Sequence, residues 1–173
     1  MKEYIHGGDI YRHPDVLDYS ANINPLGTPP GVIRAAKDSM ERVCHYPDAC
    51  QEKLKQALAE YEQVPVEWLI CGNGAAELIF ALVQAVKPKR ALVLAPTFAE
   101  YAQALEAVGC EVNREILKKE DGFTLQDRIL DRLQKEDLQM VFLCNPNNPT
   151  GILMDPKLLR KRSEERRVGK ECR

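Results

Sequence analysis

The stretch of this chain best suited to chemistry is Asn145 to Gly151, Asn-Pro-Asn-Asn-Pro-Thr-Gly. It follows an apolar run, Leu138 to Cys144, that reads as a buried strand. Two Asn-Pro steps and a closing glycine stop the strand and turn the chain. A turn at the carboxyl end of a buried strand is where open α/β folds hold their ligands. The asparagines offer amide donors and acceptors there. The same composition also suits an ordinary loop with no ligand. A second candidate is Gly72-Asn73-Gly74, followed by a helical pattern from Ala75 to Val86. The unpaired N–H groups and the dipole at the start of that helix suit an anionic group such as a phosphate. A strand-to-helix turn without a ligand would have the same sequence. Glu77 stands where a Rossmann Gly-x-Gly-x-x-Gly would need its third glycine, and no Gly-Lys-Ser/Thr follows as in a P-loop.

The rest of the chain must position these two turns. In order, the pattern predicts helices over 31–43 and 51–61, a short buried run at 69–71, and the helix from Ala75. That helix has only Glu77 and Gln84 as polar residues, so it is expected to be buried on most sides. Strands are predicted at 90–95, 111–116 and 138–144, with helices at 98–108 and 124–133 between them. Strands alternating with helices of this length imply βαβ units and a mostly parallel sheet flanked by helices, an α/β fold. Residues 1–18 are polar and without periodicity. His6-Gly7-Gly8 could be a flexible terminus or a tight turn that approaches a ligand.

Composition narrows the function. The chain has 173 residues, 45% of them hydrophobic, and a net charge of -2, which is ordinary for a soluble domain. No basic stripe suggests nucleic acid, no apolar run reaches membrane-span length, and the N-terminus lacks a signal-peptide core. Six scattered cysteines without a Cys-x-x-Cys pair read as reduced thiols of a cytoplasmic protein. The three histidines have no metal-ligand spacing, and no Ser-His-Asp set or Gly-x-Ser-x-Gly elbow is visible. Residues 162–173 change character, with one aliphatic residue and eight charged ones. They look like a translated sequencing-adapter read-through and are set apart as a non-native tail. The expected organisation is therefore an N-terminal segment, 1–30, that contributes to a substrate site, the N-terminal part of a ligand-binding domain, 31–161, and the tail, 162–173.

Six segments together resemble the pyridoxal-phosphate (PLP) enzymes of the aminotransferase fold, fold type I. They are His6-Gly7-Gly8-Asp9-Ile10, the run from Ser20 to Gly27, Tyr46-Pro47-Asp48, the run from Gly72 to Glu77, the run from Pro96 to Tyr101, and Asn145 to Gly151. Within that fold the first two lean toward the threonine-phosphate decarboxylases of cobalamin biosynthesis. The other four are shared with the histidinol-phosphate aminotransferases. One departure is Asp9, where the decarboxylase pattern has Asn.

The resemblance implies an incomplete large domain whose backbone at Gly74, Ala75 and Ala76 cradles the PLP phosphate. It implies that Phe98 stacks on the pyridine ring and that Asn148 bonds the ring's phenolic oxygen and borders the substrate. Tyr46 would reach the phosphate of a neighbouring subunit in a homodimer. His6, Gly7 and Asn22 would face a small amino-acid phosphate substrate. The Schiff-base lysine, the aspartate at the pyridine nitrogen and the substrate-binding arginines are expected beyond Lys161, so the 173-residue chain alone is expected to be inactive. The implied reaction of the intact enzyme is decarboxylation of L-threonine O-3-phosphate to (R)-1-aminopropan-2-yl phosphate. Histidinol-phosphate amino transfer is the alternative, and a non-catalytic phosphate-ligand-binding domain is a second.

Overall fold

Strand β1, Arg90–Ala95, carries the core because four of its six residues are fully covered. Its Arg-Ala-Leu-Val-Leu-Ala sequence offers apolar side chains to both faces of a sheet, as central parallel strands do. β2, Glu111–Ile116, pairs parallel along one edge of β1, from Arg90↔Glu111 to Ala95↔Ile116. β3, Met140–Phe142, pairs parallel along the other edge, from Ala91↔Met140 to Val93↔Phe142. The order is therefore β2-β1-β3. This is a computed structural model, and it describes residues 7–157. The proposed tail lies outside the described residues.

Two compact units are present, 1–70 and 71–173. The second holds the sheet. Helix α3, Gly74–Val86, precedes β1, and α4, Ala99–Ala107, connects β1 to β2. Val83 of α3 and Ala104 and Leu105 of α4 close over Ala91 and Val93 on one face of the sheet. Helix α5, Arg128–Lys135, connects β2 to β3 and brings Ile129 and Leu133 onto Leu92 from the other face. Alternation along β1 thus sends residues 91 and 93 one way and 92 and 94 the other. Full burial of Leu92 or Leu94 contributes about 1.5–3 kcal/mol each. A buried carboxylate, Glu115 on β2, is held by Arg128 at 3.0 Å and Arg132 at 2.6 Å, which ties α5 to the sheet edge. Hydrogen bonding to Glu136 and then to Glu115 holds the Arg132 guanidinium above its ordinary range.

The first unit contains α1, Pro30–Ser39, and α2, Glu52–Glu62, each followed by a single 3-10 turn or short connection. Pro30 opens α1 at a position where its missing N–H costs nothing. Asp48 accepts the N–H groups of Cys50 and Glu52 at 2.9 and 3.0 Å and so organises the entry to α2.

Four expectations need correction. Residues 69–71 form no strand: Leu69 has extended backbone, but no described strand pairs with the segment and Ile70 is 75% exposed. Helix α3 is not buried on most sides. Only Val83 is buried, while Phe80, Leu82 and Val86 remain exposed, because α4 and the sheet cover a single stripe of it. The helix predicted from Thr124 starts at Arg128, because the Thr124 hydroxyl is bonded to the Asp121 carbonyl in the preceding turn. β3 is three residues long where seven were expected.

Candidate cofactor site

The connection through α4 leads from β1 to β2, and the connection through α5 leads back past β1 to β3. The two helices lie on opposite faces of the sheet. The carboxyl ends of β1 and β3 therefore flank the topological switch point, the crevice where open parallel sheets bind ligands. Pro96, Thr97 and Phe98 leave β1 there, and residues 145–151 follow β3 on the same side.

These two segments are bonded to each other through Asn147, which is only 3% exposed. Its side-chain carbonyl accepts the Thr97 hydroxyl at 2.9 Å. Its amide donates to the Pro96 carbonyl at 3.0 Å and to the Thr150 hydroxyl at 2.9 Å. Its backbone closes the loop, donating to Ile152 and accepting from Gly151. Asn145 also serves the loop, its side-chain oxygen accepting the Met154 N–H at 2.8 Å. Cys144 accepts the Asn148 N–H and donates to the Pro146 carbonyl, both at 3.4 Å. The Asn148 side chain, by contrast, is exposed. Of the asparagines in this segment, two are committed to the architecture and the third is presented outward.

Phe98 stands at the N-cap of α4 and is half-buried. It meets Tyr101 edge-on at 5.6 Å, and Tyr101 stacks on Phe142 of β3 at 4.7 Å. A run of aromatic rings thus extends from the sheet to Phe98, which supplies a firmly backed aromatic surface.

Helix α3 begins at Gly74, whose φ is +79°, a conformation natural to glycine. A Cβ at Gly74 would meet nothing within 4 Å, so this end of the helix is open. At Gly72 a Cβ would lie 2.8 Å from both the Glu77 carboxylate and the Leu78 side chain. Glu77 folds back to accept the Asn73 N–H, which leaves the N–H groups of Ala75 and Ala76 at the helix start. Helix α3 ends just before β1 begins and packs Ile79 and Val83 on the same face of the sheet as α4.

In the first unit, Gly7 lies against Ser20 so closely that a Cβ would fall 1.9 Å from the Ser20 carbonyl oxygen. The Gly8 N–H donates to the Ser20 hydroxyl at 2.8 Å. Two segments separated in sequence therefore meet where Gly7 and Gly8 lie against Ser20 and Ala21. Two hydrogen bonds from Ser20 hold the Asp18 carboxyl below its usual range. Asp9, the departure from the decarboxylase pattern, pairs with Arg12. Asn22 is exposed and Tyr46 is 92% exposed. His6 lies outside the described residues. Among the described residues no group of His, Cys, Asp and Glu could hold a metal ion, and no helix is long and apolar enough to cross a membrane.

Comparison with known proteins settles the family. The description "Aminotransferase class I and II" matches residues 14–165. The chain belongs to the aminotransferase class I and II family. Members of this family are PLP-dependent. The chain is 48% identical over 162 residues to the threonine-phosphate decarboxylase of Salmonella typhimurium, covering 89% of this chain and 44% of that protein. It is 38% identical over 146 residues to a histidinol-phosphate aminotransferase of Desulfitobacterium hafniense, covering 81% of this chain and 41% of that one. Its structure matches the histidinol-phosphate aminotransferase of Clostridium acetobutylicum with a TM-score of 0.73 at 27% identity, over 87% of this chain and 44% of that one. The chain thus spans less than half the length of these relatives. The aminotransferase fold accounts for the parallel sheet and for the turns at its carboxyl edge.

Sequence reasoning did not single out Asn147, Thr97 or Cys144. Asn147 was visible only as one of several asparagines in a turn. Nothing local distinguishes it from Asn148, because its partners at 96 and 97 lie about fifty residues away.

Proposed function

We propose that this chain is part of a PLP-dependent decarboxylase that converts L-threonine O-3-phosphate to (R)-1-aminopropan-2-yl phosphate in cobalamin biosynthesis. The observation that carries the reading is the 48% identity to a threonine-phosphate decarboxylase across 89% of the chain, against 38% to a histidinol-phosphate aminotransferase. The described residues fit the cofactor: an open helix start at Gly74, a backed aromatic ring at Phe98 and an outward amide at Asn148.

When bound, PLP supplies the electron sink for the pair left at Cα as the carboxylate departs. The chain supplies binding and orientation. The N–H groups of Ala75 and Ala76 would hold the phosphate against the helix dipole, and Gly74, whose own N–H is bonded to the Gly72 carbonyl, would let it approach the backbone closely. Phe98 offers a face to the ring, and Asn148 donates to its phenolic oxygen. Tyr46 reaches the phosphate bound by the partner subunit of a cytoplasmic homodimer. The family resemblance assigns His6, Gly7, Asn22 and Asn148 to the substrate, and such a grip would set which substrate bond is presented for cleavage.

The test uses the complete protein that contains this chain. Carbon dioxide release from threonine phosphate is measured beside amino transfer from histidinol phosphate to 2-oxoglutarate. The expected result is decarboxylation without appreciable transfer. His6→Ala and Asn22→Ala should each cost about 1–3 kcal/mol in transition-state stabilisation, as for a hydrogen bond to a charged group. Efficient transfer with no carbon dioxide moves the assignment to histidinol-phosphate aminotransferase, the activity named for the relative that is 38% identical.

A further inference from the structure

We propose that Asn147 is a positioning residue that holds the Phe98 and Asn148 segments at the spacing the cofactor requires, although it does not touch the cofactor itself. The inference rests on the cofactor reading above and goes beyond it, because it concerns how the two contacting residues are kept in place. Phe98 and Asn148 belong to loops separated by fifty residues, and neither is bonded to the other. Each is adjacent in sequence to a partner in one hydrogen-bond cluster: Thr97 beside Phe98, and Asn147 beside Asn148. Asn147 uses its side-chain oxygen on Thr97 and its amide on Pro96 and Thr150, so both amide functions are engaged across the crevice and within its own loop. At 3% exposure these bonds are shielded from competing water. The backbone bonds of Asn147 run to Ile152 and Gly151 within its own loop, so they keep the loop's shape, whereas its side chain ties that loop to Pro96 and Thr97.

The side chain has to be an amide. Aspartate is isosteric, but it has no donor for the Pro96 carbonyl or the Thr150 hydroxyl, and its charge would face that carbonyl in a buried setting. A residue that only stabilised its own turn would not need to reach Pro96 and Thr97.

The experiment is carried out on the complete protein. Wild type, Asn147→Ala, Thr97→Val, Asn148→Ala and the double variant of 147 and 148 are titrated with PLP by fluorescence quenching. The absorbance of the bound chromophore is then followed against pH. A donor on the ring's phenolic oxygen favours its deprotonated form, so Asn148→Ala is expected to raise the pH midpoint. Asn147→Ala is expected to raise the midpoint in the same direction, to weaken PLP binding about tenfold, and to add little in the Asn148→Ala background, as coupled residues do. Thr97→Val removes one of the bonds at nearly constant volume and should give a smaller shift of the same sign. It decides the matter alone if Asn147→Ala does not fold. An unchanged midpoint and affinity in Thr97→Val and Asn147→Ala overturns the inference while leaving the cofactor reading intact. A wild-type protein that takes up no PLP removes the cofactor reading itself, and this inference with it.

Discussion

Gly72 and Gly74 flank the same turn but are required for different reasons, and alanine at each should separate them. At Gly74 an added Cβ meets nothing, so the only penalty is backbone strain at φ +79°. For an L-residue this costs roughly 1–2 kcal/mol. Replacing glycine also restricts the unfolded chain, which returns about 0.4–1 kcal/mol. The net loss for Gly74→Ala is about 1 kcal/mol by these two terms. Gly72 has no such φ, so strain is absent and contact decides. Its Cβ would stand 2.8 Å from the Glu77 carboxylate and 2.8 and 3.0 Å from two carbons of Leu78. Glu77 can swing away, but it then abandons the Asn73 N–H. That bond is exposed, so its loss is worth about 1 kcal/mol, below the range for buried charged pairs. Leu78 is less free to move, and overpacking adds about 1–3 kcal/mol. Gly72→Ala should therefore cost about 2–4 kcal/mol, more than Gly74→Ala. Urea unfolding followed by circular dichroism measures both. In a Glu77→Ala background the Gly72→Ala penalty should fall by about 1 kcal/mol while the Gly74→Ala penalty stays the same. Equal penalties, or a Gly72→Ala cost indifferent to Glu77, would refute the contact argument.

Two further outcomes follow from the charged groups. Glu115→Gln keeps the volume of a buried side chain but removes the charge facing Arg128 and Arg132. Both arginines are partly exposed and can rehydrate, so the cost should be about 2 kcal/mol rather than the 3–5 of a fully buried pair, measured by urea unfolding. The Asp48 carboxyl is held below its usual range chiefly by the N–H groups of Cys50 and Glu52. A depressed carboxylate contributes stability that is complete above its unfolded value, about 3.9, and is lost as pH falls through the lower folded value. The Cys50 and Glu52 amide resonances should therefore titrate together below about pH 4, and that titration should vanish in Asp48→Asn. Resonances that stay fixed through this range would contradict the hydrogen-bonded entry to α2.

The strands legible in the sequence were those whose partners are also legible. Residues 90–95 and 111–116 have the bounds expected of them, because each is an apolar or alternating run ended by a turn. Residues 69–71 have the same local character, but a strand exists only beside another strand, and none of the described ones pairs there. The burial of α3 failed for a related reason. An apolar circumference states what a helix can bury, whereas α4 and the sheet determine what is covered. At the site, the motif located the loop after β3, yet which of its asparagines points inward depends on Pro96 and Thr97, far away in sequence.

The separation between Thr97 and Asn147 also has a temporal side. Chains emerge from the ribosome at about 5–20 residues per second, so Thr97 would be made roughly 3–10 s before its partner. During that interval β1 and β2 can already pair through the short α4 connection, whereas β3 has not yet been synthesised. The crevice between β1 and β3 is therefore a late product of synthesis, completed only when Asn147 arrives to join its two rims.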